Sequence, residues 1–98
     1  MNAMNNLRIS QPTLEKLKNK HRVSRREVEQ CFENRCGQFL LDTREQHRSD
    51  PPTLWFVAPT SQGRLLKIVF IYRDGCVHLR SAYEAEQLAQ DIYNRKAR

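Results

Sequence analysis

Lys67, His78 and Arg80 are the side chains whose types and spacing could hold an anion. They sit on two β-rich runs, Arg64 to Tyr72 and Cys76 to Ala82, that flank Asp74-Gly75. That dipeptide tolerates positive φ and predicts a two-residue hairpin turn. With the turn placed there, Arg73 faces Cys76. The pairing then runs Tyr72 with Val77, Phe70 with Leu79, Ile68 with Ser81 and Leu66 with Tyr83, along one mostly apolar face. Cross-strand partners share a side, so Ile71 with His78, Val69 with Arg80 and Lys67 with Ala82 make the opposite face. Lys67, His78 and Arg80 point the same way in this register. A strand gains little by placing Lys67 among Leu65, Val69 and Ile71 unless that face meets water or an anion. The plainer alternative is the solvated side of a one-sided antiparallel sheet.

Two other groupings could do chemistry. The polar stretch from Arg44 to Pro52 contains Glu45, His47 and Arg48, so a carboxylate, an imidazole and a guanidinium share one loop and could supply proton transfer and phosphate contact. A polar surface turn has the same composition. Further upstream, Lys16, Lys18, Lys20, Arg22, Arg25 and Arg26 fall within eleven residues and could track a phosphate backbone, although solvated helix faces produce similar runs. Over the whole chain, 17 Lys plus Arg stand against 11 Asp plus Glu, a net charge of +6, which favours a polyanionic partner. Cys31, Cys36 and Cys76 are an odd number without CxxC spacing and read as reduced thiols rather than a disulfide framework. His21, His47 and His78 show no metal-ligand spacing, so no metal and no other cofactor is expected. No apolar run approaches the ~20 residues of a spanning helix, and MNAMNN lacks the layout of a signal peptide. The expected compartment is the cytoplasm, with no membrane partner.

The elements that must position these groups follow from local pattern. Ninety-eight residues allow one domain, 1–98, with 1–8 and 95–98 frayed. Ser10 before Pro12, then Leu14 and Leu17, predicts a short helix over 11–20. Ser24 with Glu27 forms a capping box, and Val23 with Val28 a hydrophobic staple, so a second helix begins there and buries Val28, Cys31 and Phe32. Gln38 to Thr43 and Thr53 to Ala58 read as strands that precede the central hairpin, making a four-stranded antiparallel meander. Ala85, Leu88, Ala89 and Ile92 recur at helical spacing, with Ser81 and Glu84 as a further capping box, and predict a terminal helix on the apolar sheet face. The class is α+β: two N-terminal helices, a four-stranded antiparallel sheet and a C-terminal helix.

Residues 13 to 93 resemble, in this order, the BrnT family of bacterial toxin ribonucleases. Lys20-His21-Arg22-Val23-Ser24 with Glu27 is similar to the family's K-H-G-V-S opening of its second helix, and Phe32 matches that helix's end. Asp42 with Glu45 and Arg48 lies in the following strand and loop. Gly63-Arg64-Leu65-Leu66 resembles the start of the third strand, Leu79-Arg80-Ser81-Ala82 the family's R-I-I-S-A-R strand, and Tyr93 its late tyrosine. The chain departs from the pattern at Tyr83, where arginine usually follows Ser-Ala, at Arg22 in place of glycine, and at Ala89 in place of glutamate.

The resemblance implies a RelE-like fold and a metal-independent endoribonuclease of a type II toxin-antitoxin system, with RNA as substrate and a cognate antitoxin encoded separately. A homo-oligomer is compatible with it. The RNA's own 2′-hydroxyl is the nucleophile, so the site supplies a base, cations for the phosphorane-like transition state and an acid for the leaving 5′ oxygen. The implied roles give His47 or Glu45 as base, Arg80 with Lys67 or Arg48 as phosphate stabilisers, and Tyr83 or His78 as acid. Lys18, Lys20, Arg22, Arg25, Arg26, Arg64 and His78 are the expected nucleic-acid contacts. The strict hairpin register turns Tyr83 toward the core, against that role. The absent arginine and glutamate favour an alternative, a non-catalytic nucleic-acid or protein-binding module on the same fold. A third class, a hydrolase that removes ADP-ribose from dinitrogenase reductase, resembles larger helical domains with clustered acidic metal ligands. Asp42, Asp50, Asp74 and Asp91 are scattered here.

Overall fold

A computed structural model describes residues 4–44 and 49–97. In chain order the elements are β1 (Leu7–Arg8), α1 (Gln11–Lys16), a π-helical turn (Leu17–His21), α2 (Arg25–Asn34), β2 (Leu40–Leu41), β3 (Thr53–Pro59), β4 (Leu65–Arg73), β5 (Cys76–Glu84) and α3 (Gln87–Lys96). The strands form one sheet in the order β1-β5-β4-β3-β2. β1 runs parallel to β5, and the other neighbours are antiparallel. The described residues are therefore α+β, with three α-helices and a five-stranded mixed sheet, not the four-stranded antiparallel sheet expected from sequence. The added strand lies in a terminus read as frayed. Buried Leu7 anchors it beside Val77.

The central hairpin forms as its turn residues dictate. Asp74 and Gly75 have φ of 54° and 77°, and Arg73 faces Cys76. The expected register holds as far as Phe70 with Leu79, and then a bulge intervenes. Beyond it Val69 faces Ser81, Ile68 faces Ala82, Lys67 faces Tyr83 and Leu66 faces Glu84, so Arg80 is the extra residue. Four side chains change sides relative to strict alternation: Ala82 and Glu84 move to the side of Ile68 and Leu66, whereas Ser81 and Tyr83 come out on the side of Lys67.

One sheet face, built from Phe56, Leu66, Ile68 and Phe70, is fully buried. Val28 and Cys31 of α2 pack over it, and the Cys31 thiol donates to the Ala58 carbonyl at 3.4 Å. Phe32 meets Phe56 and Phe70 edge-on, with centroids 4.8 and 5.3 Å away, and Phe39 adds a further edge contact to Phe70 at 4.9 Å. This aromatic cluster leaves no room there for the terminal helix. α3 packs on the other face instead, where Tyr93 lies 6.0 Å from Trp55, which corrects the expectation that it covers the Leu66-Phe70 side.

Local signals account for two helix starts, α1 after Ser10 and α2 after Ser24. The Ser24-Glu27 capping box is present in both directions, at 3.0 and 3.1 Å. The first helix is α-helical only to Lys16, widens to a π turn, and ends at Arg22 in the left-handed region with φ 54°. Ser81 and Glu84 do not cap α3, because both remain in β5; α3 starts after Glu86 without a side-chain cap. Gly37 is required by a close approach. A Cβ there would lie 2.7 Å from the Tyr93 hydroxyl and 2.9 Å from the Ala97 carbonyl. Gln38 N–H donates to that carbonyl at 3.0 Å, so Ala97, read from sequence as part of a frayed end, is buried and held. Among the described residues no helix is long and apolar enough to cross a membrane.

Candidate nucleic-acid interface

Lys67 occupies the middle of β4, between Val57 of β3 and Tyr83 of β5. Its ammonium lies 4.6 Å from the centre of the Trp55 ring and 6.0 Å from that of Tyr83, so two aromatic faces support a half-buried cation. Burial lowers its pKa below the usual lysine value, and the nearby Arg44 guanidinium lowers it further, against the opposing fields of Asp42 and Glu86. Burial likewise raises the Tyr83 phenol, with Asp42 and Glu86 adding to the rise and Arg44 opposing it. At neutral pH that phenol keeps its proton and can donate it.

Arg44 reaches this face from the segment after β2. The backbone N–H of Asp42 donates to the Thr53 carbonyl at 2.8 Å, fastening the segment to β3. The Asp42 carboxylate in turn accepts from Arg44 Nε at 3.0 Å, Nη2 at 2.9 Å and the Arg44 backbone N–H at 3.1 Å. That fork fixes the guanidinium plane, and the hydrogen bond to Asp42 is the main reason the Arg44 pKa rises.

Three depressions adjoin along this side of the molecule. One of about 400 Å³ is lined by Asp42, Arg44, Trp55, Lys67 and Lys96. A second, about 210 Å³, has Arg44, Thr53, Arg80, Ser81 and Tyr83 on its walls. The third, about 570 Å³, is bordered by Arg8, Ser10, Thr13, Lys16, His78 and Arg80. Arg44 belongs to the first two and Arg80 to the last two, so the three are neighbours, each bordered by cations, and together they are termed the furrow. Such a furrow can follow a phosphodiester chain. A separate depression of about 300 Å³ beside α3 is lined by Cys36, Tyr93 and Asn94 among others, with no charged group among the described residues.

The sequence candidates divide accordingly. Lys67, Arg80 and Tyr83 come together on the furrow, joined by His78 at its far end. Glu45, His47 and Arg48 lie outside the described residues. Three expected nucleic-acid contacts are engaged in the fold. Arg64 donates to the carbonyls of Arg22 at 2.7 Å and His21 at 3.0 Å and pairs with Glu27 at 3.2 Å. Arg25 donates to the carbonyls of Met4 and Leu7, both at 3.1 Å, and Arg26 pairs with Glu29 and Glu33 at 3.2 and 3.6 Å. Lys18 and Arg22 line a depression with Leu14 and Val23, apart from the furrow, while Lys20 is exposed on the π turn.

Sequence reasoning missed Arg8, Arg44 and Trp55 as parts of the site. The signal for Trp55 was a lone tryptophan on a strand adjoining that of Lys67; Arg8 gave none, since its strand exists only through pairing with β5. It also passed over His21, whose ring centroid is 5.5 Å from that of Tyr83. Burial, then Lys20 and Lys16, hold the His21 pKa below its ordinary value. Among the described residues, no three His, Cys, Asp or Glu side chains are grouped to hold a metal ion. Comparison with protein-family models, with curated proteins and with solved structures returns no match.

Proposed function

We propose that the protein is a toxin-like endoribonuclease, similar to BrnT, that lays single-stranded RNA in the furrow and cleaves it without a metal ion. What carries the reading is the gathering of Lys67, Arg44, Arg80 and Tyr83 around adjoining depressions of one face. A phosphate seated there meets cations on several sides, and the protonated phenol stands ready as a donor. In the reaction the 2′ oxygen attacks the adjacent phosphorus and forms the O2′–P bond as the P–O5′ bond breaks. The base takes the 2′ proton, and Tyr83 gives its own to the departing 5′ oxygen. The products are a 2′,3′-cyclic phosphate and a 5′-hydroxyl. The resemblance assigns the base to Glu45 or His47, and a separately encoded antitoxin as the restraining partner.

The test is incubation of the purified protein with single-stranded RNA in EDTA, followed by analysis of the ends. Cleavage leaving cyclic phosphate is expected, falling about 10²- to 10³-fold in Lys67→Met and about 10²-fold in Tyr83→Phe. RNA that binds normally and remains intact at high protein concentration removes catalysis. A second reading, the non-catalytic binding module, then stands. Asp42 favours it by neutralising Arg44, a principal cation of the site.

A further inference from the structure

We propose that the depression between β1, α1 and β5 is a second phosphate subsite, so that a strand is gripped on both sides of Arg80. The proposal rests on the reading of the furrow as an RNA surface and deepens it, by making the preferred ligand longer than a dinucleotide.

Parallel pairing sets Arg8 directly beside His78, and Lys16 and Arg80 border the same depression. These residues come from β1, α1 and β5, so their convergence is a product of the fold and not of one solvated helix face. Among the described residues, no carboxylate lines the depression. Arg8, Lys16 and Arg80 are like charges around one depression, and an anion seated among them relieves their mutual repulsion. The Arg8 guanidinium is partly oriented from below, because Nη1 donates to the Asn5 carbonyl at 2.7 Å. Its remaining N–H groups can serve a ligand. At the rim the Ser10 hydroxyl donates to the Thr13 hydroxyl at 3.0 Å, leaving the latter's proton for an acceptor. A phosphodiester oxygen has the charge and the lone pairs this set requires. Through Arg80, the subsite is continuous with the depression holding Tyr83 and Arg44.

The experiment measures binding of a fluorescent 2′-O-methyl oligonucleotide of about eight residues, and of a dinucleotide, across a range of KCl concentrations. Wild type is compared with Arg8→Gln/Lys16→Gln and with Lys16→Gln alone, which changes only an exposed helix position. The double variant is expected to bind the longer strand at least tenfold more weakly, with a salt slope reduced by about 1.4, and the single variant's slope should fall by about 0.7. Dinucleotide binding should be unchanged in both. An unaltered slope in the folded variants overturns the subsite while leaving the RNA reading intact; wild-type protein that binds no oligonucleotide overturns both. Equal binding of polyglutamate, with the same loss in the variants, overturns the assignment to nucleic acid.

Discussion

Replacing Arg64 separates a structural cation from a ligand-binding one. Its guanidinium joins three elements: it donates to the last carbonyls of the π turn and its cap at 3.0 and 2.7 Å, pairs with Glu27 of α2 at 3.2 Å, and lies 3.6 Å from Glu84 of β5. The Arg64 and Glu27 side chains are 27% and 28% exposed, so solvent partly screens their attraction. Two charge-assisted hydrogen bonds at the low end of their range, with at most 1 kcal/mol from the screened pairs, give about 3 kcal/mol. For a chain of this size that is a fall in Tm of about 12–24 °C in Arg64→Ala. In urea the midpoint should drop by about 2–3 M. Arg64→Lys should recover only about 1 kcal/mol, because an ammonium cannot serve two carbonyls and a carboxylate in one plane. The assay pairs urea unfolding with the salt dependence of oligonucleotide binding, and folded Arg64→Ala is expected to keep the wild-type slope. An unchanged midpoint with a slope reduced by about 0.7 would refute the reasoning and return Arg64 to the nucleic-acid contacts.

The thiols should react in the order of their exposure. Cys36 is exposed and Cys76 half-buried, whereas burial pushes the Cys31 thiol up to about 12, so native protein should leave Cys31 unmodified by a thiol reagent until urea unfolds it. Rapid native labelling of Cys31, located by peptide mass, would contradict the packing of α2. His21 should titrate below 6.5 by NMR and move upward in Lys20→Ala. Because the unfolded chain then holds the proton more tightly than the folded one, stability contributed through His21 declines as pH falls below about 6.5, a dependence that His21→Gln should remove. A midpoint at or above 6.5 would exclude that linkage.

Where chemistry was local, the sequence was readable. Asp74-Gly75 specified its turn because few dipeptides adopt positive φ twice, and Ser24 with Glu27 specified a helix start through hydrogen bonds confined to one turn. The bulge at Arg80 was not readable for a definite reason. On either side of it stand Leu79, which is buried in both registers, and the small pair Ser81-Ala82, which differs so little in apolar area that alternation cannot choose between them. The burial of Ala82 against Ile68 decides the matter only once the sheet exists. That single residue has a large geometric consequence, since it carries Tyr83 from the core side to the side of Lys67, against the strict register. Similarly, Ser81 and Glu84 satisfy the capping pattern but are claimed by β5, where Glu84 pairs with Leu66.

The location of the net charge shows why a basic run in sequence is a poor guide to a basic surface. Between Lys16 and Arg26 the cations are dense, yet Arg25 and Arg26 meet Glu29 and Glu33, while Arg64 joins the same region to meet Glu27. The glutamates of α2 therefore neutralise Arg25, Arg26 and Arg64, whereas Lys18, Lys20 and Arg22 remain exposed on a surface apart from the furrow. Lys16 differs because it borders the furrow, where Arg8, Arg80, Lys67 and Lys96 arrive from four other elements and, among the described residues, the lining carboxylate is Asp42, held by Arg44. Cations far apart in the chain but sharing one furrow produce a directed potential. A polyanion following that potential would cross β5 at Arg80, the point where the strand gains its extra residue, so the irregularity that re-aims Tyr83 also sets the hinge between the two halves of the proposed RNA path.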